Sequence, residues 1–155
     1  MRLCCASIAI SLCDVSLRFA CPYPTQQRQA KVKAIKEAVA LTMHHEQLLQ
    51  SYEEGAKTFS SWVDGEMTEV EAMEPGNSVE ELTKQQEEFE RYLKEEKPSH
   101  QQELFKVENA ILSLQSSQRN NGRPVHEVTD AELAPKELSR KWEQLCQMQG
   151  YVLYG

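Results

Sequence analysis

The most regular hydrophobic pattern in the chain lies between residues 48 and 62. Its members are spaced four, three, four and three residues apart, and they are Leu48, Tyr52, Gly55, Phe59 and Trp62. A repeat that averages 3.5 residues keeps one stripe of a helix turned towards its neighbours. The pattern therefore predicts a helix packed against other helices, with Trp62 as a large buried anchor.

Apolar residues at helical spacing also precede this stretch, at Val32, Ile35, Val39 and Met43. A proline pair closes the preceding segment at residues 22–24, and a strong breaker follows at residues 74–77. One long first helix of about 40 residues, on the order of 60 Å, is therefore predicted from Gln26 onwards.

The second helix has a clear start and an interruption. Ser78 is a good N-cap, and Glu81 completes a capping box three residues later. Lys97-Pro98-Ser99 predicts a kink or a brief break, because proline lacks a backbone donor and clashes one turn back. The apolar stripe of this helix is Leu82, Phe89, Leu93, His100, Leu104, Val107, Ile111 and Leu114.

A third, shorter helix is predicted to start at Thr129 or at Pro135. Its seam is Leu138, Trp142 and Leu145, and it reaches Val152 if Gly150 does not end it. Two long helices cannot bury their stripes on each other alone. The predicted fold is therefore all-α, a left-handed antiparallel three-helix bundle with a long first helix and a kinked second helix.

The net charge of −7 is unevenly distributed along the 155 residues. Residues 1–50 hold six Lys and Arg against three acids, and residues 51–155 hold eleven against twenty-one. An acidic body without a basic stripe argues against nucleic acid as a partner.

Residues 1–24 differ from the rest of the chain. Four of the five cysteines lie within the first 21 residues, a distribution that favours a reducing compartment over a disulfide framework. The apolar run that starts at Leu3 is too short to span a bilayer. As a signal segment it would place Asp14 and Arg18 where a cleavage region is uncharged. The first prediction is a disordered leader, and the alternative is a signal at residues 1–20.

No arrangement typical of an active site is found in the sequence. His44 and His45 are adjacent and so point about 100° apart on a helix, while His100 and His126 are isolated. All four are therefore expected to be exposed histidines of helices and loops. Cys4-Cys5 lacks a second pair at zinc spacing. The glutamates at 80, 81, 87, 88 and 90 lie outside the apolar stripe, where no cleft is expected in which paired carboxylates could act. The prediction is a protein that is not an enzyme, with no catalytic, cofactor-binding or metal-binding residues and no cofactor.

Several short motifs and the tryptophan pair together resemble a spectrin repeat. The resemblance is greatest to the first rod repeat, with its neck helix, of α-actinin and β-spectrin. Its residues are Glu46-Gln47-Leu48, Tyr52-Glu53, Trp62-Val63, Glu88-Phe89, Tyr92, Lys97-Pro98, Leu114-Gln115, Arg123-Pro124, Trp142 and Leu145.

The resemblance implies a domain organisation. Residues 1–24 are then a non-homologous leader, residues 25–45 a neck helix continuous with the repeat, residues 46–150 the repeat and residues 151–155 a tail. In that family, actin filaments bind through calponin-homology domains that precede the repeat, and this sequence shows none of them.

The resemblance also implies a function. It indicates a rod spacer and protein-docking surface of a cytoplasmic, cytoskeletal actin cross-linker. Its partners would be proteins, including an antiparallel rod dimer in the family, and no membrane contact is expected. The alternative is a secreted or membrane-anchored helical-bundle binding protein that uses residues 1–20 as a signal segment.

These two alternatives predict different N-termini. We expect the protein made in cells to start at Met1 or directly after it, because the charged Asp14 and Arg18 disfavour cleavage. Intact mass spectrometry measures this. A product that has lost about 20 residues, the usual length of a signal segment, supports the secreted alternative.

Overall fold

The computed structural model describes the backbone of residues 22–154 and the side chains of residues 25–150. The helices are α1 (Pro22–Ala72), α2 (Val79–Glu95), α3 (Lys97–Asn120) and α4 (Pro135–Tyr154). No strand occurs within residues 22–154, so the predicted all-α class is confirmed. The chain divides into two compact units, one ending at Leu41 and the other beginning at Thr42.

Helix α1 begins earlier than the proline pair predicts. Pro22 and Pro24 occupy its first turn instead of preceding it. The first backbone N–H groups of a helix have no acceptor within the helix, so a proline there removes no hydrogen bond. The expectation of a breaker at residues 22–24 was therefore wrong.

In the first unit, every described side chain from residue 25 to residue 40 is exposed. Val32, Ile35 and Val39 are 51%, 62% and 52% exposed, although they recur at the helical spacing of a core stripe. The spacing places these residues correctly on one face of the helix, but it does not supply a neighbour to cover that face.

The core of the second unit is built by α1, α3 and α4. Residues of α2 contribute nothing fully buried, and Leu82 is 45% exposed. The core residues are Tyr52, Ala56, Phe59 and Val63 of α1, Leu104, Val107, Ala110, Ile111 and Leu114 of α3, and Leu138 and Leu145 of α4. The seams predicted for α1, α3 and α4 therefore identify most of this core. The stripe predicted for α2 contributes no buried residue to it.

The start of α2 follows the predicted cap with one difference. The Glu81 N–H donates to Ser78 Oγ at 3.2 Å, as a capping box requires. The Glu81 carboxylate accepts a hydrogen bond from the Asn77 N–H at 2.8 Å, whereas in a capping box it would accept from the Ser78 N–H. At its other end α2 stops at Glu95, and only Glu96 separates it from α3.

The segment between α3 and α4 is fixed by hydrogen bonds. Gly122 has a φ of 62°, a left-handed conformation that glycine adopts without strain. Gln118 Oε1 accepts from the His126 N–H at 2.7 Å, and Gln115 donates to the His126 carbonyl at 3.1 Å. Helix α4 then begins at Pro135, the second of the two predicted starts, and continues through Gly150 to Tyr154.

The predictions for residues 1–21 lie outside the described residues, and so do Cys4, Cys5, Cys13 and Cys21. Among the described residues Cys146 is a free, half-buried thiol. The boundaries at residues 24, 45 and 150 stay predictions, and α1 and α4 run without interruption across them.

Gly55 lies where α1 packs closely against Val107 of α3. A Cβ atom at this position would lie 2.7 Å from Val107 Cγ2, much closer than two carbon atoms can approach. Val107 is itself buried in the core and has one strongly preferred rotamer in a helix. The missing side chain therefore allows the two helices to pack.

We expect Gly55→Ala to destabilise the protein by up to about 2 kcal/mol. Overpacking costs about 1–3 kcal/mol, and the gain in helix propensity offsets about 1 kcal/mol of that cost. Gly65→Ala is the matched control, because Gly65 lies in the same helix and a Cβ there meets nothing within 4 Å. It should stabilise by up to about 1 kcal/mol. Urea unfolding measures both, and equal effects would contradict the close contact at residue 55.

Candidate docking surface

An aromatic cluster joins α1, α3 and α4 next to the break at Glu96. The ring of Trp62 stacks on that of His100, with centroids 3.7 Å apart and planes inclined by 13°. Phe59 and Trp142 complete the cluster, 6.1 Å from each other, and Trp142 lies 6.3 Å from Trp62. Such tilted pairs contribute about 0.5–1.5 kcal/mol beyond the area that they bury.

The two tryptophans lie together, as the seams predict, but they are only partly buried. The fully buried layer beneath them is formed by smaller residues such as Ala56 and Val63. Lys97 covers Trp142 from outside, with its Nζ 5.4 Å from the ring centroid. Trp62 therefore packs at the edge of the core and is only partly buried, whereas its place on the seam predicts a fully buried anchor.

A polar contact lies close to this cluster. Gln149 of α4 is 2% exposed, and its Nε2 lies 3.5 Å from the hydroxyl of Tyr92 in α2. Burial, and secondly hydrogen bonding to the Glu66 carboxylate, raise the pKa of Tyr92. Gln149 Oε1 is buried and accepts no hydrogen bond from the part of the chain that the structure describes. Tyr92 of α2 thus forms polar contacts with both Glu66 of α1 and Gln149 of α4.

A second tyrosine fixes the segment that leads into α4. The Tyr52 hydroxyl donates to the carbonyl of Leu133. Burial raises the pKa of Tyr52, and the carboxylates of Asp130 and Glu53 raise it further. Both tyrosines therefore hold their protons more strongly in the folded chain than in the unfolded one.

An open groove of about 440 Å³ lies between α3 and the start of α4. Its apolar lining includes Ile111, Val128 and Leu112, of which Leu112 is 60% exposed. Acidic residues (Glu108 and Glu143) and basic residues (Lys136 and Arg140) both line it. An apolar floor with a charged rim can receive an apolar side chain of a protein partner.

Side chains within and beside the groove are held in place. The Ser139 hydroxyl lies 2.7 Å from Glu108 Oε1 and 3.0 Å from the Pro135 carbonyl. Arg140 Nε donates to Glu137 at 2.9 Å, and this hydrogen bonding lowers the pKa of the exposed Glu137 carboxyl. The rim is therefore ordered without a partner.

The groove does not follow from the predicted seams. Leu112 lies seven residues after Phe105, and both are more than half exposed. A spacing of seven places them on one face, which is separate from the face of Leu104 and Ile111. Two large apolar residues outside the seam were the signal in the sequence for this groove.

The histidines are less exposed than predicted. His45 is buried, and its Nε2 lies 2.8 Å from Ser117 Oγ. His100 is half-buried between Trp62 and Glu103, whose Oε2 lies 2.9 Å from its Nδ1. His44 is exposed and His126 is half-buried. The expectation of exposed histidines was wrong for His45, His100 and His126. His45 and His100 each find a polar or aromatic partner on a facing element.

Within the described residues, no group of three or more His, Cys, Asp or Glu side chains could hold a metal ion. No helix in the described part of the chain is long and apolar enough to cross a membrane.

Comparisons with known proteins show a distant similarity. No family model matches the chain. Alpha-actinin-4 of Gallus gallus and of Homo sapiens are each 24% identical to it over 127 residues, or 81% of this chain. The sarcomeric alpha-actinin of Drosophila melanogaster is 24% identical over 111 residues, or 72% of this chain. The chain spans only 14% of the length of the two alpha-actinin-4 proteins.

The two tyrosines predict a loss of stability in alkali. A folded-state pKa above the ordinary 10.0 leaves stability intact below about pH 10 and removes it as the pH rises further. The free energy of unfolding, measured by urea titration from about pH 8 to about pH 11.5, should therefore fall at the upper end. In Tyr92→Phe and in Tyr52→Phe the fall should be shallower. Curves parallel to that of the parent would contradict the assignment to these hydroxyls.

Proposed function

We propose that residues 46–150 form a left-handed, antiparallel three-helix spectrin repeat of the α-actinin type. Its role is that of a spacer and protein-docking surface in the cytoskeleton, and it performs no catalysis. The observation that carries the proposal is the core of the second unit, in which the seams of α1, α3 and α4 interlock at heptad spacing. The similarity to alpha-actinins over 81% of the chain supports it.

The spacer role is supported by the way in which the helices are held. The small residues Gly55 and Ala56 let α1 approach α3 closely, and Lys141 of α4 binds α1 with its Nζ 2.8 Å from Asp64 Oδ2. Helices that pack along their length resist bending and so keep whatever lies at their two ends apart.

The docking role is supported by the groove between α3 and α4. Leu112 is a large apolar side chain held in the open, and removing such residues from water is the main source of binding free energy in protein interfaces. The mixed acidic and basic rim favours a partner with charges of both signs around one apolar anchor.

A non-catalytic role is supported by the character of the ionisable groups. The carboxyl group with a lowered pKa, that of Glu137, is exposed and paired with Arg140, as in an ordinary surface ion pair. The two tyrosines with raised pKa values have structural contacts: Tyr52 donates to the Leu133 carbonyl ahead of α4, and the half-buried Tyr92 hydrogen-bonds to Glu66 of α1. A general acid or base needs a pKa matched to neutral pH within a cleft, which is a different arrangement.

We expect the full chain, fused at its C-terminus to a fluorescent protein, to enrich in the detergent-insoluble cytoskeletal fraction of cells. Leu112→Glu should release at least half of it into the soluble fraction, because a carboxylate in the groove must lose its water when a partner binds. Leu112 is exposed, so the free energy of unfolding should change by less than about 0.5 kcal/mol.

Met73→Glu is the control, because Met73 is also an apolar residue, 44% exposed, and lies outside the groove. This variant should keep the parent distribution. Secretion of the parent chain, or equal release of both variants, would contradict the proposed role. Pelleting of the purified chain with F-actin at physiological salt would instead show that the filament itself is the partner.

A further inference from the structure

A threonine motif ahead of α4 has no structural use in the fold. Thr129, with Glu132 three residues later, has the pattern of a capping box, but α4 begins only at Pro135. The Thr129 side chain is exposed, and its hydroxyl forms no hydrogen bond with the residues from 25 to 150. The motif is therefore available for another role.

The motif lies on an exposed stretch between two anchored residues. All of residues 129–132 are exposed, whereas Val128 before them and Leu133 after them pack against the core. One hydrogen bond joins members of the stretch, from the Glu132 N–H to Asp130 Oδ1 at 3.0 Å. Water can replace this exposed bond, so the stretch can extend while the packed helices stay intact.

Acidic side chains surround the Thr129 hydroxyl. Asp130 follows it directly, Glu132 follows three residues later and Glu127 precedes it by two residues, and all three are exposed. A protein kinase with a basic substrate cleft selects a hydroxyl by such a charge pattern. The cleft must also hold the acceptor and the acids apart. Residues three apart are about 10 Å apart in an extended chain but only about 4.5 Å along a helix axis.

The other hydroxyls with this spacing are held in helices. Within residues 25–150, an acid stands three residues after Ser51, Ser61, Thr68, Ser78 and Thr129. The first three lie inside α1, and Thr68 Oγ1 donates to the Asp64 carbonyl at 2.9 Å. Ser78 caps α2 and accepts from the Glu81 N–H at 3.2 Å. Among these five, only Thr129 can enter an extended cleft without the unwinding of a helix.

We propose that Thr129 is a phosphorylation site for a protein kinase directed by acidic residues. The kinase transfers the γ-phosphoryl group of ATP to Thr129 Oγ1. The bond from Oγ1 to the γ-phosphorus forms, the bond from that phosphorus to the bridging oxygen breaks, and ADP leaves with the electron pair. The hydroxyl proton passes to the base of the kinase.

The phosphate group would change the charge of this segment. It adds about −1.5 to −2 charges at neutral pH, directly beside Val128, which lines the groove between α3 and α4. The phosphorylation site goes beyond the proposed function and does not depend on it, because the kinase needs no partner in the groove.

Casein kinase II, which is directed by acidic residues, is a suitable probe. Incubated with the purified full chain and MgATP, it should phosphorylate Thr129, as tandem mass spectrometry of the digested product measures. Thr129→Ala should lower phosphate incorporation at least tenfold, and Thr129→Ser should restore it. Ser78→Ala is the control and should incorporate phosphate like the parent. Residue 129 is exposed, so its variants should fold, as circular dichroism can verify.

A second pair of variants tests the recognition of the acids. Asp130→Asn with Glu132→Gln removes two charges at nearly constant size and should lower the initial rate at least tenfold. Glu87→Gln with Glu88→Gln removes two exposed charges from α2 and should keep the parent rate. A parent chain without phosphate at Thr129, or with phosphate at another residue in its place, would overturn the proposal. Equal rates for the two double variants would overturn it as well, because the acids would then play no part in recognition.

Discussion

The packing of α1 against α3 at Gly55 is the constraint on which the rest of the second unit depends. Val107 occupies the space where a side chain at residue 55 would lie, so the two helix axes can approach closely only at a glycine. This approach brings Tyr52, Ala56 and Phe59 into the layer of Val107 and Ile111, where all five are buried. Glycine costs about 1 kcal/mol of helix propensity at this position, and the packed core offsets that cost.

Polar side chains then determine how the remaining elements attach to this pair of helices. Tyr52 reaches the carbonyl of Leu133 ahead of α4, and Lys141 binds α1 from α4. Tyr92 joins α2 to the buried Gln149. A hydrogen bond demands a defined distance and direction, which apolar contacts do not, so these contacts specify one register among several that the apolar stripes would allow. They also explain why stability should fall in alkali, where the hydroxyls lose their protons.

Much of the architecture could be predicted from sequence because spacing identifies the face of a helix. The seams of α1, α3 and α4 and the Ser78 cap follow from residue types at fixed intervals. Burial is a different property, because it depends on what lies opposite. Trp62 and Ala56 lie on neighbouring lines of one helix, yet the alanine is fully buried and the tryptophan is only partly covered. The same limit applies to His45, whose partner Ser117 is 72 residues away in the sequence.

The candidate docking surface was harder to predict for the same reason. The groove beside Leu112 exists because α4 starts at Pro135 and the preceding segment places Val128 next to α3, and no local pattern encodes that geometry. The line of Val32, Ile35 and Val39 in α1 has the opposite character. Its helical period is fully local and follows from the sequence, but the described residues leave it exposed. The same period of three and four thus occurs on a buried line of α1 and on an exposed one, because spacing fixes the face of a helix and the surrounding elements fix its burial.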